Sequence, residues 1–215
     1  MAHMLRSSLC TARAQLLLVA ALVLSGCANL QPALSPAAQP DARSGYLAGL
    51  FQPKLGQGFA FVLRSASGQE FNFGLGQESA WPKDLAYQTA AIALPPGTYR
   101  ITHWFSYAIL AKETLARDKV PPESPLAQPL EVKAGEVLHL GGWVFSEAAR
   151  RDLMGVVLVH RVQPLRFSEA ILRSDFGARY QNLAALPFHC LNCAPSAELT
   201  NASTLGVRPT PLPAP

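Results

Sequence analysis

Between Gly45 and Gln163 the apolar residues fall in short runs, many alternating with polar ones, and Gly, Pro, Ser and Asn stand between the runs. That is the pattern of half-buried strands joined by turns. Tyr46–Phe51 predicts a first strand. GFAFVLRS (58–65) and QEFNFGL (69–75) predict two more, flanking Ala66, Ser67 and Gly68. In the second, alternation puts Phe71 and Phe73 on one face and Asn72 on the other. In YQTAAIALPPGTYRITHWFSYA (87–108), Ala91–Leu94 predicts a strand and Pro95-Pro96-Gly97 a turn. Thr98–Tyr107 then resumes extended structure, with Tyr99, Ile101, His103 and Phe105 expected on one face. VKAGEVLHLGGWVF (132–145) repeats this arrangement about Ala134-Gly135, and MGVVLVHRVQP (154–164) closes the series. Strands in this rhythm without intervening helices predict a mainly β fold. Residues 45–165 are expected to form an antiparallel β-sandwich of about seven or eight strands.

From Arg166 the period changes. FSEAILRSDFGARYQNL (167–183) predicts one C-terminal helix, with Ser168 as its N-cap and Ile171, Leu172, Phe176, Tyr180 and Leu183 near helical spacing. Residues 166–193 thus form a helix followed by a Cys-x-x-Cys segment. Between two predicted strands, AILAKETLARDKVPPESPLA (108–127) begins with helical character and ends in prolines. A sandwich does not need a connection of that length, and long insertions are often binding loops. A plain surface excursion capping the sandwich is the simpler expectation.

The N-terminus carries a different signal. Arg6 and Arg13 precede an apolar run, Leu16–Leu24, that ends on Ser25, Gly26 and Cys27, with no acidic residue before Asp41. A basic start, a short apolar core and small closing residues are the parts of an export signal. The run is too short to span a bilayer, which takes roughly 20 residues. Leu24-Ser25-Gly26-Cys27 resembles the lipobox of bacterial lipoproteins. The resemblance implies cleavage before Cys27, a diacylglyceryl thioether on its thiol and acylation of its new amine. Several acyl chains hold a protein firmly to a bilayer. Ala28, rather than aspartate, follows the cysteine, and in this family that implies the outer membrane, with the domain facing the periplasm. Residues 1–26 are then a signal peptide and 27–44, with Pro32, Pro36 and Pro40, a flexible tether. The proline-rich stretch 194–215 is expected to be disordered.

LPPGTYRI (94–101) and VKAGEVLHLGG (132–142) together resemble the hairpins of prealbumin-like and carboxypeptidase-regulatory-like sandwiches, which also occur in uncharacterised envelope lipoproteins. The resemblance concerns turn residues between core strands and implies no catalytic residue.

Composition narrows the function further. The formal net charge is +4, and the first 26 residues contribute two arginines and no acid, leaving +2. No dense Lys/Arg cluster occurs, since Arg150-Arg151 is followed at once by Asp152, so nucleic acid is not an expected partner. No HExxH, P-loop or nucleophile elbow is present. Gly74-x-Gly76 and Gly141-Gly142 are too short to cradle phosphate. Glu113, Asp118 and Glu123 read as solvated loop charges. His103, His139 and His160 each fall in a predicted strand and read as isolated. No cofactor is expected.

Reactivity concentrates in FHCLNCAP (188–195). With Cys10 removed and Cys27 lipidated, Cys190 and Cys193 form an even pair in an oxidising compartment, which favours a local disulfide. A redox site would need a low-pKa cysteine at a helix start. A metal site built on His189, Cys190 and Cys193 would lack a fourth ligand. The resulting expectation is a lipid-anchored, non-catalytic protein that binds an envelope protein or glycan, or supports an assembly. The alternative is a periplasmic redox protein, metal-binding protein or enzyme centred on His189, Cys190 and Cys193.

Overall fold

The computed structural model describes residues 31–52, 56–75, 87–111, 113–152 and 155–194. The expected signal peptide, Cys27 and all of the proline-rich tail beyond Ala194 lie outside them. Ten strands are described: β1 (Gly45–Gln52), β2 (Gln57–Ser65), β3 (Glu70–Leu75), β4 (Gln88–Leu94), β5 (Gly97–Ala108), β6 (Thr114–Lys119), β7 (Leu130–Val132), β8 (Val137–Asp152), β9 (Gly155–Leu165) and β10 (Phe188–Cys190). One α-helix, α1 (Glu169–Arg179), lies between β9 and β10.

The strands form two five-stranded sheets. The first runs β10-β8-β1-β4 with β9 also on β8, and the second runs β3-β2-β5-β6 with β7 also on β5. The second sheet is antiparallel throughout. The first departs from the expected antiparallel pattern, because β1 and β10 both pair parallel with β8. Nothing in local alternation distinguishes a parallel neighbour from an antiparallel one, since both have period two.

The inner faces meet in one core. Leu47 and Phe51 of β1, Phe59, Phe61 and Leu63 of β2, Phe71 and Phe73 of β3, and Leu140, Trp143 and Phe145 of β8 belong to it. Phe61 and Trp143 pack edge to face at 5.5 Å, and Phe51 lies 5.3 Å from both Phe59 and Phe73. Such aromatic pairs add to the burial of their large apolar surfaces.

The outer face of the first sheet is buried as well. Tyr46, Ala48 and Leu50 of β1 and Val137 of β8 pack against Leu172 and Phe176 of α1, with Tyr180 and Leu183 just beyond it. This double burial is why β1 reads GYLAGLFQ, nearly continuous in apolar residues rather than alternating. Ser168 caps α1 as expected, its Oγ accepting from the Ile171 N–H at 3.3 Å. Of the expected helix face, Leu172, Phe176, Tyr180 and Leu183 are buried. Arg173 fastens α1 to β10, donating to the Phe188 carbonyl at 3.3 Å with its guanidinium 5.0 Å from the Phe188 ring centroid.

Three expectations are revised. First, Tyr99, Ile101, His103 and Phe105 do not share a face. The register between β2 and β5 shifts between Val62 and Leu63, so Val62 opposes His103 while Leu63 opposes Ile101. The extra residue on β5, Thr102, is a β-bulge and inverts the alternation after it. Tyr99, Ile101 and Trp104 therefore face the core, whereas Phe105 and Tyr107 join Ala60, Val62 and Ile109 on the outer side. Second, the helical reading of 108–127 gives way to β6, which extends the second sheet along β5, and a single 3-10 turn at Pro125–Ala127. Pro121 and Pro122 close off a helix there, and the edge of β5 offers Thr114–Lys119 a hydrogen-bonding partner instead.

Third, residues 31–44 do not extend away from the body. The Gln31 N–H donates to the Asn72 carbonyl of β3 and the Leu34 N–H to the Ala91 carbonyl of β4, each within 2.9 Å. The Asp41 N–H donates to the Tyr46 hydroxyl at 2.6 Å, and the Asn182 side-chain amide to the Ala37 carbonyl at 3.3 Å. This segment stitches the outer strands of both sheets together along one side. The Tyr180 hydroxyl adds to this by accepting from the Ala91 N–H at 3.1 Å. Covering edge strands in this way satisfies their backbone groups and blocks further pairing.

Candidate functional site

The segment after α1 builds the most chemically distinctive corner of the molecule. Its entry strand β10 aligns Phe188 with Val137, His189 with Leu138 and Cys190 with His139. Alternation along β10 sends Phe188 and Cys190 to the helix side and His189 to the opposite side. The chain then turns sharply. Cys190 Sγ and Cys193 Sγ lie at bonding distance, with Cα atoms 5.8 Å apart. The Leu191 N–H donates to the His139 carbonyl, and the Ala194 N–H donates to the Phe167 carbonyl at the entrance to α1.

Gly141 makes this close approach possible. Its φ of +92° is a left-handed conformation that favours glycine, and a Cβ there would lie 2.7 Å from the Asn192 carbonyl oxygen. The same residue produces a bulge in β8, where the register with β1 shifts between Ala48 and Leu50. In the sequence Gly141-Gly142 stands out only as a pair too short to cradle phosphate. Its structural role required knowing that the Cys190–Cys193 turn lies against it.

His139 is completely buried beneath Phe188, with ring centroids 5.4 Å apart. Its Nδ1 accepts the Gly141 N–H at 3.0 Å, which places the proton of the neutral ring on Nε2. Nε2 has no hydrogen-bond partner among the described residues. Burial in this apolar setting pushes the imidazole pKa down to about 3, so the ring is neutral at physiological pH.

The other predicted residues do not gather here. His189 is largely exposed, with Nε2 3.2 Å from a Glu136 carboxylate oxygen. It borders a shallow groove of about 200 Å³ between β7 and β10, lined among others by Leu130, Glu131, Lys133 and Leu191. His103 lies on the outer side of the second sheet, its Nδ1 3.0 Å from the Thr102 hydroxyl. Burial chiefly, then the nearby Arg117 and Lys119, lower its pKa. His160 is on β9 at the register position of Glu147. Glu113, Asp118 and Glu123 are exposed. Among the described residues no group of three His, Cys, Asp or Glu side chains is placed to hold a metal ion. For His189, Cys190 and Cys193 the reason is strand alternation together with the bond between the two sulfurs.

The disulfide closes a short loop, so its entropic contribution is expected below the roughly 3 kcal/mol of a 15-residue loop. Thiol titration of the unfolded, unreduced protein should find no free thiol from Cys190 or Cys193. Replacing both by serine should lower the unfolding midpoint slightly while leaving the β circular-dichroism signal intact. Two titratable thiols there would overturn the structural assignment.

No known family model matches this chain. No curated protein matches it either. Among solved structures, it is similar over 47% of its length to a leucine-rich repeat protein from Bacteroides thetaiotaomicron VPI-5482, at 18% identity and a TM-score of 0.33. The chain spans 12% of that protein, and a likeness this slight carries no argument about fold or activity.

Proposed function

We propose that this protein is an outer-membrane lipoprotein, anchored through lipid on Cys27, whose sandwich has a non-catalytic binding or scaffold role in the cell envelope. The observation that carries the anchoring is the run Leu16–Leu24 closed by Ser25, Gly26 and Cys27 behind Arg6 and Arg13. The fold supports a surface role in two ways. Its interior is filled by packed aromatic side chains. The groove at His189, about 200 Å³, is smaller than the roughly 300–1,000 Å³ of sites that enclose a small ligand. Recognition would proceed on exposed strands, with an envelope protein or glycan as partner.

The docked segment 31–44 adds a geometric consequence. Gln31 is bonded to β3, and Cys27 stands four positions before it. An extended chain covers at most about 3.6 Å per residue, so a lipidated Cys27 would hold the β3 side of the sandwich within about 14 Å of the bilayer surface. The domain would sit against the membrane rather than swing on a stalk. Replacing Cys27 by alanine should leave the precursor unlipidated and absent from the mature membrane fraction. Normal processing and membrane recovery of that variant would overturn the proposal.

A further inference from the structure

The outer side of the second sheet gathers cations that are scattered along the chain. Arg64 of β2 stands directly opposite Arg100 of β5. On β6, Lys119 opposes His103 and Arg117 opposes Phe105. Leu63 and Ile101 face the core, so Arg64 and Arg100 alternate to the outer side, where Phe105 also lies. All four cations are exposed. Arg117 and Lys119 lie near enough to His103 to help lower its pKa, after burial. Acids on the same face are fewer. Glu70 opposes Arg64, and Glu131, opposite Thr98, stands 4.0 Å from Lys133. Asp118, opposite the core residue Trp104, alternates to the other side. Like charges in directly facing positions are destabilising. Because Arg64 and Arg100 are both exposed, the packing of the sheet does not ask for that pair.

The same hairpin exposes large apolar side chains. Leu110, in the turn between β5 and β6, is 73% exposed, and Leu115, two positions before Arg117, is 41% exposed. Affinity for a membrane surface grows with the apolar area inserted and with the attraction between cations and anionic lipid. The course of residues 31–44 brings this sheet toward the anchor. Followed toward the N-terminus, the chain is bonded first to β4 at Leu34 and then to β3 at Gln31. Three residues cover about 10 Å, which is the spacing of two packed sheets. The sheet met last before Cys27 is therefore the one that carries the cations.

We propose that the outer face of the second sheet docks on anionic phospholipid headgroups through Arg64, Arg100, Arg117 and Lys119, with Leu110 and Leu115 entering the interface. Which membrane it meets rests on the Cys27 anchor proposed above; the affinity for the lipid does not. An acyl anchor and a basic surface reinforce each other. The anchor holds the chain to the bilayer, and the cations select the side of the sandwich that faces it. The first sheet, covered by α1, is then turned away from the membrane. Exposed charges are screened beyond about 10 Å at 0.1 M salt, so this docking weakens as ionic strength rises.

The test is vesicle flotation of the full chain carrying Cys27→Ala, which takes up no acyl anchor. It should bind phosphatidylcholine vesicles containing about 30% phosphatidylglycerol about tenfold more tightly than phosphatidylcholine alone. Salt at about 0.5 M should abolish that difference. Arg100→Glu with Lys119→Glu should reduce binding to the level on neutral vesicles, and so should Arg64→Gln with Arg117→Gln. Leu110→Ser with Leu115→Ser keeps every charge and should lower binding several-fold. Arg43→Glu with Arg161→Glu changes the net charge as much as the first pair, at exposed positions outside the second sheet, and should leave binding unchanged. Equal binding to both kinds of vesicle, full binding by any of the three variants of this face, or an equal loss in the Arg43 and Arg161 variant would each overturn the proposal. A native chain found without lipid on Cys27 would overturn the anchor and leave this affinity standing.

Discussion

Replacing Trp143 by alanine is expected to remove a large fraction of the stability of the fold. Trp143 is 2% exposed and packs edge to face on Phe61 at the centre of the contact between the two sheets. Its Nε1–H donates to the Leu140 carbonyl at 3.0 Å across the Gly141 bulge. Truncating a buried tryptophan costs about 3–5 kcal/mol through lost transfer energy and the cavity left behind. Leaving the Leu140 carbonyl without its donor adds to this. Domains of this size are stable by only about 5–15 kcal/mol. Urea denaturation should therefore show a midpoint lowered by a large fraction of its value. Leu110, 73% exposed, provides the control, since its replacement by alanine should change stability by no more than about 0.5 kcal/mol. Equal effects at the two positions would contradict the assignment of Trp143 to the inter-sheet core.

Stability should also fall steeply on mild acidification, and His139 should be a main cause. In the unfolded chain an ordinary histidine titrates near 6.5, whereas in the fold burial holds His139 down to about 3. Between these values the unfolded state binds a proton that the folded state refuses. Stability is thus unaffected by this group above the unfolded pKa and is lost progressively as pH drops through the window from 6.5 to 3. The slope approaches about 1.4 kcal/mol per pH unit for one such group. Replacing His139 by glutamine removes the titration, so the difference between the two proteins' urea stabilities should change with pH across that window and level off above it. A constant difference would show that His139 titrates alike in both states.

Strand positions were legible in the sequence because alternation and turn residues act locally. Phe71 and Phe73 on one face, the Pro96-Gly97 turn and the Ser168 cap all follow from residues within a few positions of each other. What was not legible depends on distant partners. The parity change in β5 comes from a bulge against β2, and the parallel pairing of β1 arises because a strand far along the chain lies beside it. β6 was not legible because its charged and apolar residues suit an exposed helix and an exposed edge strand alike. At the candidate site, the pairing of Cys190 with Cys193 could be anticipated from the even pair they form once Cys10 and Cys27 are set aside. The burial of His139 could not, since it depends on Phe188 and α1 folding back over β8. The docking of residues 31–44 was hidden for the same reason, because prolines alone cannot tell a free tether from one laid along a strand edge.

The proposed function rests on lipid anchoring through Cys27. Its most direct test is mass spectrometry of the N-terminal peptide released from the membrane-extracted protein. The expected peptide begins at Cys27 and carries a diacylglyceryl group and an amide-linked acyl chain. A peptide that begins upstream of Cys27, or one that contains Cys27 without lipid, would contradict it.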